Sequence, residues 1–168
     1  KEKENLLWEL INNSSVGIVI VDQNHRVIET NKRFAEMIGY TSEEVLKLHT
    51  WDWAADISES EIKELFKEVS KINAIGETVY RRKDGSIYDV QICVRGTKIE
   101  GKNVAMCICQ DISARKKAEE ALRQSENKFR SFVENANDII LTLNREGIIT
   151  YTSPNIIKLC GYPKTAVE

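Results

Sequence analysis

The chain is poor in proline and histidine, has no surplus of charge of one sign, and lacks a long apolar run. Pro154 and Pro163 are its only prolines, so no proline-rich linker separates one part from another. Basic and acidic residues number 24 and 26, a net charge of -2. A surface that neutralises phosphates needs concentrated positive charge, so nucleic acid is not expected as a partner. No stretch approaches the roughly 18–20 consecutive apolar residues that span a bilayer, and the start Lys1-Glu2-Lys3-Glu4 is no secretory leader. The expectation is a cytoplasmic fragment without membrane contact of its own, although a larger parent could be membrane-anchored. Cys93, Cys107, Cys109 and Cys160 form no C-x-x-C pair and sit in apolar runs, which fits packed thiols in a reducing compartment better than a disulfide framework. Catalytic motifs are missing too. There is no G-x-x-x-x-G-K-[ST] loop, no G-x-S-x-G elbow and no histidine pair at metal spacing, so no enzyme activity is expected of the fragment.

What is present is an internal repeat. Sliding the chain by 122 residues lays Leu6–Val45 over Lys128–Val167 without a gap, with Asn13 on Asn135, Ile18 on Ile140, Thr30 on Thr152 and Gly39-Tyr40 on Gly161-Tyr162. Each copy reads as a helix, a short apolar strand, a polar turn, a second strand and a helix ending at Gly-Tyr. A period this long is a duplicated domain rather than a solenoid unit, and the second copy stops early.

The first copy runs on through two capping-box spacings, Thr41 with Glu44 and Ser58 with Glu61. Ile62, Leu65, Phe66, Val69 and Ile72 recur at helical spacing and predict a helix over Ser58–Asn73. Three strand-like runs follow, Glu77–Arg82, Ile87–Thr97 and Asn103–Asp111, punctuated by Lys83-Asp84-Gly85-Ser86 and Glu100-Gly101-Lys102. Two strands, a helical middle and three strands predict an α+β fold with a five-stranded antiparallel sheet and helices on one face. Beyond it, Ala118, Leu122, Ser125, Phe129, Phe132 and Ala136 step by 4, 3, 4, 3 and 4. That stripe fits either a helix packed on its own domain or the seam of a paired coil, and its thinness favours the pair. The divisions are residues 1–112, a linker helix over 113–137, and the truncated second copy over 138–168.

In order and at these intervals, the motifs resemble the PAS family. Asp22, Asn31, Phe34 and Gly39-Tyr40-Thr41-Ser42-Glu43-Glu44 resemble its opening half. Arg82-Lys83-Asp84-Gly85-Ser86 and Asp111-Ile112-Ser113-Ala114-Arg115-Lys116 resemble its closing half, the C-terminal subregion. Two departures stand out: His25 occupies a turn position where glycine is usual, as Gly147 does in the second copy, and Ser113 replaces a more frequent threonine.

The resemblance implies a small-molecule pocket between sheet and helices, and signal output through the exit helix, as in the input module of a histidine kinase or a similar regulator. The alternative is a structural spacer whose pocket is filled by its own side chains. For the relay, Asp111 is expected to pair with Arg115 or to cap the helix, with Ile112 and Ser113 between them.

Aligned through Asp111 with flavin-binding relatives, Gln91, Cys93, Cys107 and Cys109 are expected to face the pocket, joined by Val19 and Val21 and by Asn31, Phe34, Trp51 and Trp53. Val90, Ile92, Val94, Met106 and Ile108 would then form a greasy outer face, covered by the N-terminal helix (Leu6, Leu7, Leu10, Ile11) or by a second subunit. A homodimer through the N-terminal helix, this outer face and the linker helix is expected.

The cofactor is unknown. Covalent flavin photochemistry is disfavoured because Leu48-His49-Thr50-Trp51-Asp52-Trp53 carries no cysteine, and haem ligation because Ser58–Asn73 carries no histidine. His49 could ligate a metal or haem but reads better as a surface or hydrogen-bonded histidine. Trp51 and Trp53 could stack on a ring ligand but read better as core. Three thiols without a fourth ligand read better as packing than as a metal site.

Overall fold

The computed structural model describes residues 6, 9–65, 67, 69–135 and 138–161. Leu7, Phe66, Ala136, Asn137 and residues 162–168, all used in the reading above, lie outside them. Two compact units divide the chain, residues 1–115 and 116–168.

In the first unit, β1 (Gly17–Asp22) and β2 (Val27–Thr30) form a hairpin. Four short helices follow: α1 (Lys32–Ile38), α2 (Ser42–Val45), α3 (Thr50–Trp53) and α4 (Glu59–Leu65), then a 3-10 turn at Val69–Lys71. Strands β3 (Asn73–Arg81), β4 (Ile87–Ile99) and β5 (Lys102–Asp111) complete an antiparallel sheet of order β2-β1-β5-β4-β3. Both expected capping boxes form, at Thr41–Glu44 and at Ser58–Glu61. The helix expected over Ser58–Asn73 is shorter, and β3 begins four residues earlier than read. Ile75 and Gly76 are poor helix formers, and Asn73 through Arg81 find a full ladder of partners on β4.

Phe34, Ile38, Val45 and Trp53 from the helices pack onto Val19, Val21, Val90, Ala105 and Cys109 of the sheet, forming one core. Contact between α1 and β1 is close. A Cβ on Gly17 would lie 2.9 Å from Met37 Sδ and 3.1 Å from Phe34 Cα, so only glycine lets the helix settle there.

Helix α5 (Ser113–Asn135) follows the sheet, and the second unit continues with β6 (Leu141–Leu143), β7 (Ile149–Thr152) and α6 (Asn155–Cys160). The repeat holds at the level of single hydrogen bonds. Asp22 Oδ1 accepts from the Asn24 and Arg26 amides, and Asn144 Oδ1 accepts from the Glu146 and Ile148 amides. The Ile18 amide donates to the Asn31 side chain, and the Ile140 amide to the Ser153 hydroxyl. Register breaks between Ile20 and Val21 in one hairpin and between Thr142 and Leu143 in the other. Gly39 and Gly161 end the following helices in the left-handed conformation. Among the described residues, no helix is long and apolar enough to cross a membrane.

Candidate functional site

Pairing fixes which side chains enter the cup. Val19 lies opposite Cys107 and Val21 opposite Ala105, while Ile92 faces Cys109 and Val94 faces Cys107 across β4–β5. Paired residues share a face. Val19, Val21, Cys107 and Cys109 therefore point inward with Val90, Ile92 and Val94. Gln91 and Cys93 pair with Gln110 and Ile108 and stand on the outer face, which corrects the expectation for β4. The alignment through Asp111 had set the parity of β4 one residue off. The alternation of the strand itself, apolar Val90-Ile92-Val94 against polar Asp89-Gln91-Arg95, already pointed the right way.

The interior is filled by aromatic rings meeting edge to face. Phe34 and Trp53 centroids lie 5.3 Å apart, Trp53 and Tyr80 6.5 Å, and Tyr80 and Tyr88 6.1 Å. All four are buried. Tyr80 and Tyr88, opposite each other on β3 and β4, are the members that the sequence reading missed. Their in-phase positions on either side of the Lys83–Ser86 turn were the available signal. The Tyr80 hydroxyl lies 3.6 Å from Cys109 Sγ. The Tyr88 hydroxyl is buried with no hydrogen-bond partner among the described residues. Burial pushes both phenols upward.

At the rim, one guanidinium gathers three elements, α1, β4 and β5. Arg82 lies 3.6 Å above the Tyr88 ring, donates to the Met37 carbonyl at the end of α1, and donates to Asp111 Oδ2 at 2.9 Å. Asp111 Oδ1 accepts from the Ser113 amide at 2.9 Å, and the Ser113 hydroxyl accepts from the Asp89 amide at 3.2 Å. Ile112 between them is buried, and its amide donates to the Asp89 carbonyl. Of the two roles expected for Asp111, the bond to the start of the helix forms, while its charged partner is Arg82; Arg115 reaches Glu77 on β3 at 3.0 Å. Burial would raise the Asp111 carboxyl, but the Ser113 and Arg82 hydrogen bonds outweigh it and hold the group below its ordinary range.

The remaining candidates separate. Asn31 is buried, but its amide serves the backbone: Oδ1 accepts from Ile18 and Phe34, and Nδ2 donates to the Ile11 and Val16 carbonyls. With every bond of its side chain made, it is an anchor for β1 and α1 rather than a ligand contact. On the single turn of α3, residues two apart point in opposite directions. Trp53 therefore enters the core, while Trp51 lies half-buried under His49, its ring stacked at 4.8 Å. Leu6 and Leu10 of the N-terminal segment are 57% and 63% exposed, and Ile11 is half-buried.

Cys93 lies on the opposite face from Cys107 and Cys109, and the three thiols do not converge. Burial lifts Cys109 to about 12, against the pull of the Tyr80 hydroxyl, and drives Cys107 up as well. A thiol held neutral is a poor nucleophile. With a thiol-reactive probe at pH 8, exposed Cys160 should therefore react first and half-buried Cys93 more slowly. Cys107 and Cys109 should react only on unfolding.

Comparison with known proteins agrees with this geometry. The chain is 25% identical over 161 residues to sporulation kinase E of Bacillus subtilis, covering 95% of this chain and 22% of that protein. It is 23% identical over 128 residues to the sensor histidine kinase TmoS of Ectopseudomonas mendocina, covering 73% and 13%. The chain thus spans less than a quarter of the curated relatives it matches. Among solved structures, the PAS domain of an HTR-like protein from Haloarcula marismortui matches with a TM-score of 0.62 and 27% identity, over 66% of this chain and 93% of that one. The family model described as PAS domain matches residues 15–114. The chain belongs to the PAS domain family, and it resembles the sensor regions of histidine kinases.

Proposed function

We propose that this chain is the sensory input and relay module of a larger signal-transduction protein of the histidine kinase type. In this reading residues 1–112 sense, the linker over 113–137 carries the output, and 138–168 open a second domain of the same family. The fragment performs no catalysis itself. The observation that carries the reading is the Arg82 contact set, which ties to one side chain a core ring, the end of α1 and Asp111, the acceptor for the first amide of the exit helix. A change in the packing of the cup moves Tyr88, Tyr88 moves Arg82, and Arg82 resets the Asp111 cap. Coupling through such a contiguous network requires two arrangements of the helix whose balance the cup biases.

Hydrogen exchange tests this. Arg82→Gln is expected to reduce protection of the Ser113 and Arg115 amides about tenfold, while Glu44→Gln, which breaks the surface pair with Lys83, leaves them unchanged. Equal protection in all three proteins would remove the relay.

The same module dimerises, through the uncovered stripe of the exit helix and the outer sheet face. Leu122, Phe129 and Phe132 are exposed along α5, and Ile75 and Ile108 flank Gln91 and Cys93 on the outer face. Sedimentation that finds only monomer at about 100 μM would reject dimerisation, since this is far above the dissociation constants of stable pairs.

A second reading, in which a small molecule enters the cup, has one favouring observation: the buried Tyr88 hydroxyl without a partner among the described residues. An incoming acceptor could receive a hydrogen bond from that hydroxyl, but only by displacing part of the aromatic cluster. Reproducible thermal stabilisation by one compound that is lost in Tyr88→Phe would establish it.

A further inference from the structure

The two homologous turns of this chain solve one backbone problem with different residues. Gly147 sits at φ 83° and His25 at φ 65°, both left-handed, and each donates its amide to the carbonyl three residues earlier. Glycine adopts that conformation freely, whereas histidine is strained there. The first turn thus carries an imidazole at a place that its backbone suits better to glycine.

Its surroundings supply a use. His25 is 4% exposed, and its ring lies 5.4 Å from that of Trp51. Trp51 is stacked on His49 and approached by Lys63 Nζ at 5.0 Å from its centroid. The His25 carbonyl accepts both the Thr50 amide at 3.1 Å and the Thr50 hydroxyl at 3.4 Å. Nearby, the Val27 amide donates to the Leu48 carbonyl. One residue thus fastens the β1–β2 turn to the roof segment that carries Trp51 and Trp53.

We infer that His25 is a proton-sensitive wedge: neutral, it holds the turn against α3 and α4; protonated, it loosens them. The groups facing it are Asp22 from its own turn, with Arg26 beside it in sequence, His49 at the start of α3, and Glu59 and Lys63 from α4. Burial disfavours the imidazolium most, Lys63 and His49 add to that, and Asp22 and Glu59 oppose it; the balance holds His25 below its ordinary 6.5. A histidine depressed in the folded state contributes stability that is complete above 6.5. That contribution is lost as the pH falls from there through the folded-state value. Cytoplasmic acidification would act on the roof of the cup without any ligand.

The test compares amide protection at Thr50 and Val27, corrected for intrinsic exchange, at pH 7.5 and 5.5. Wild type should lose at least about threefold protection on acidification. His25→Gly, the residue its own second turn uses, and His25→Asn, which tolerates the left-handed region without titrating, should be flat. His49→Gln should keep the loss. Unchanged protection in wild type, the same loss in both His25 variants, or abolition of the loss by His49→Gln alone would each overturn the proposal.

Discussion

Replacing Trp53 with alanine is expected to lower the unfolding free energy of the first unit by about 3–5 kcal/mol in urea titrations, the usual result of emptying a large buried aromatic site. The ring is 2% exposed and touches Phe34 on one side and Tyr80 on the other, so the surrounding side chains cannot collapse into the space without moving a strand or α1. Trp51→Ala, two residues away, should cost only about 1–2 kcal/mol, because a half-buried ring gives up a stacking partner and little enclosed volume. Single domains are stable by roughly 5–15 kcal/mol, so the Trp53 variant sits near the threshold of folding and the Trp51 variant does not. Equal losses would mean that Trp53 is not the keystone of the cup.

Asn31 carries the second large effect. Asn31→Ala strips partners from two amides and two carbonyls at once. Each part-buried polar group left without a partner costs about 1–3 kcal/mol before water relieves it, and the Phe34 amide among them is the lost N-cap of α1. A total loss of about 3–4 kcal/mol is expected. Asn31→Ser should be milder, because Ser153 keeps the matching bond to the Ile140 amide in the second unit. Asn31→Asp should be at least as damaging as alanine at neutral pH, since it sets a carboxylate against the Ile11 and Val16 carbonyls. Acidification toward pH 4 should partly rescue it, as the protonated acid can donate again. The order Ser, Ala, Asp in increasing damage, read by thermal unfolding at pH 7, checks the account of this residue.

Much of this architecture was legible before any coordinates. Period-two apolar runs, the capping boxes at Thr41 and Ser58, and the turn residues around Gly85 and Gly101 are local signals, and the structure uses them where they stand. The repeat was legible for the same reason: Asp22 and Asn144 make identical turns because both side chains accept from amides two and four residues on. Long-range choices were harder. Which of Gln91 and Ile92 faces the core was legible in the alternation of β4 itself, but which residues of β5 lie opposite them depends on the register between the two strands, which no window of a single strand contains. Asp111 took Arg82, 29 residues earlier, in place of Arg115 four residues later. The Arg82 guanidinium is brought to Asp111 by the pairing of β3, β4 and β5, which sequence distance does not reveal. Trp51 and Trp53 looked alike in sequence and parted because α3 is a single turn, too short to show any period.

The proposed relay requires that Arg82 and Asp111 act as one unit between the cup and the exit helix. A double-mutant cycle with Arg82→Gln and Asp111→Asn measures it directly. For a charge-assisted bond between side chains each about a quarter exposed, the coupling should be about 1–2 kcal/mol at pH 7 after allowing for solvent screening. Because Asp111 is held below the ordinary carboxylate range, the coupling should persist at pH 5 and fade only as the pH falls through that depressed value. Additive effects of the two substitutions at pH 7, within about 0.3 kcal/mol, would contradict the relay.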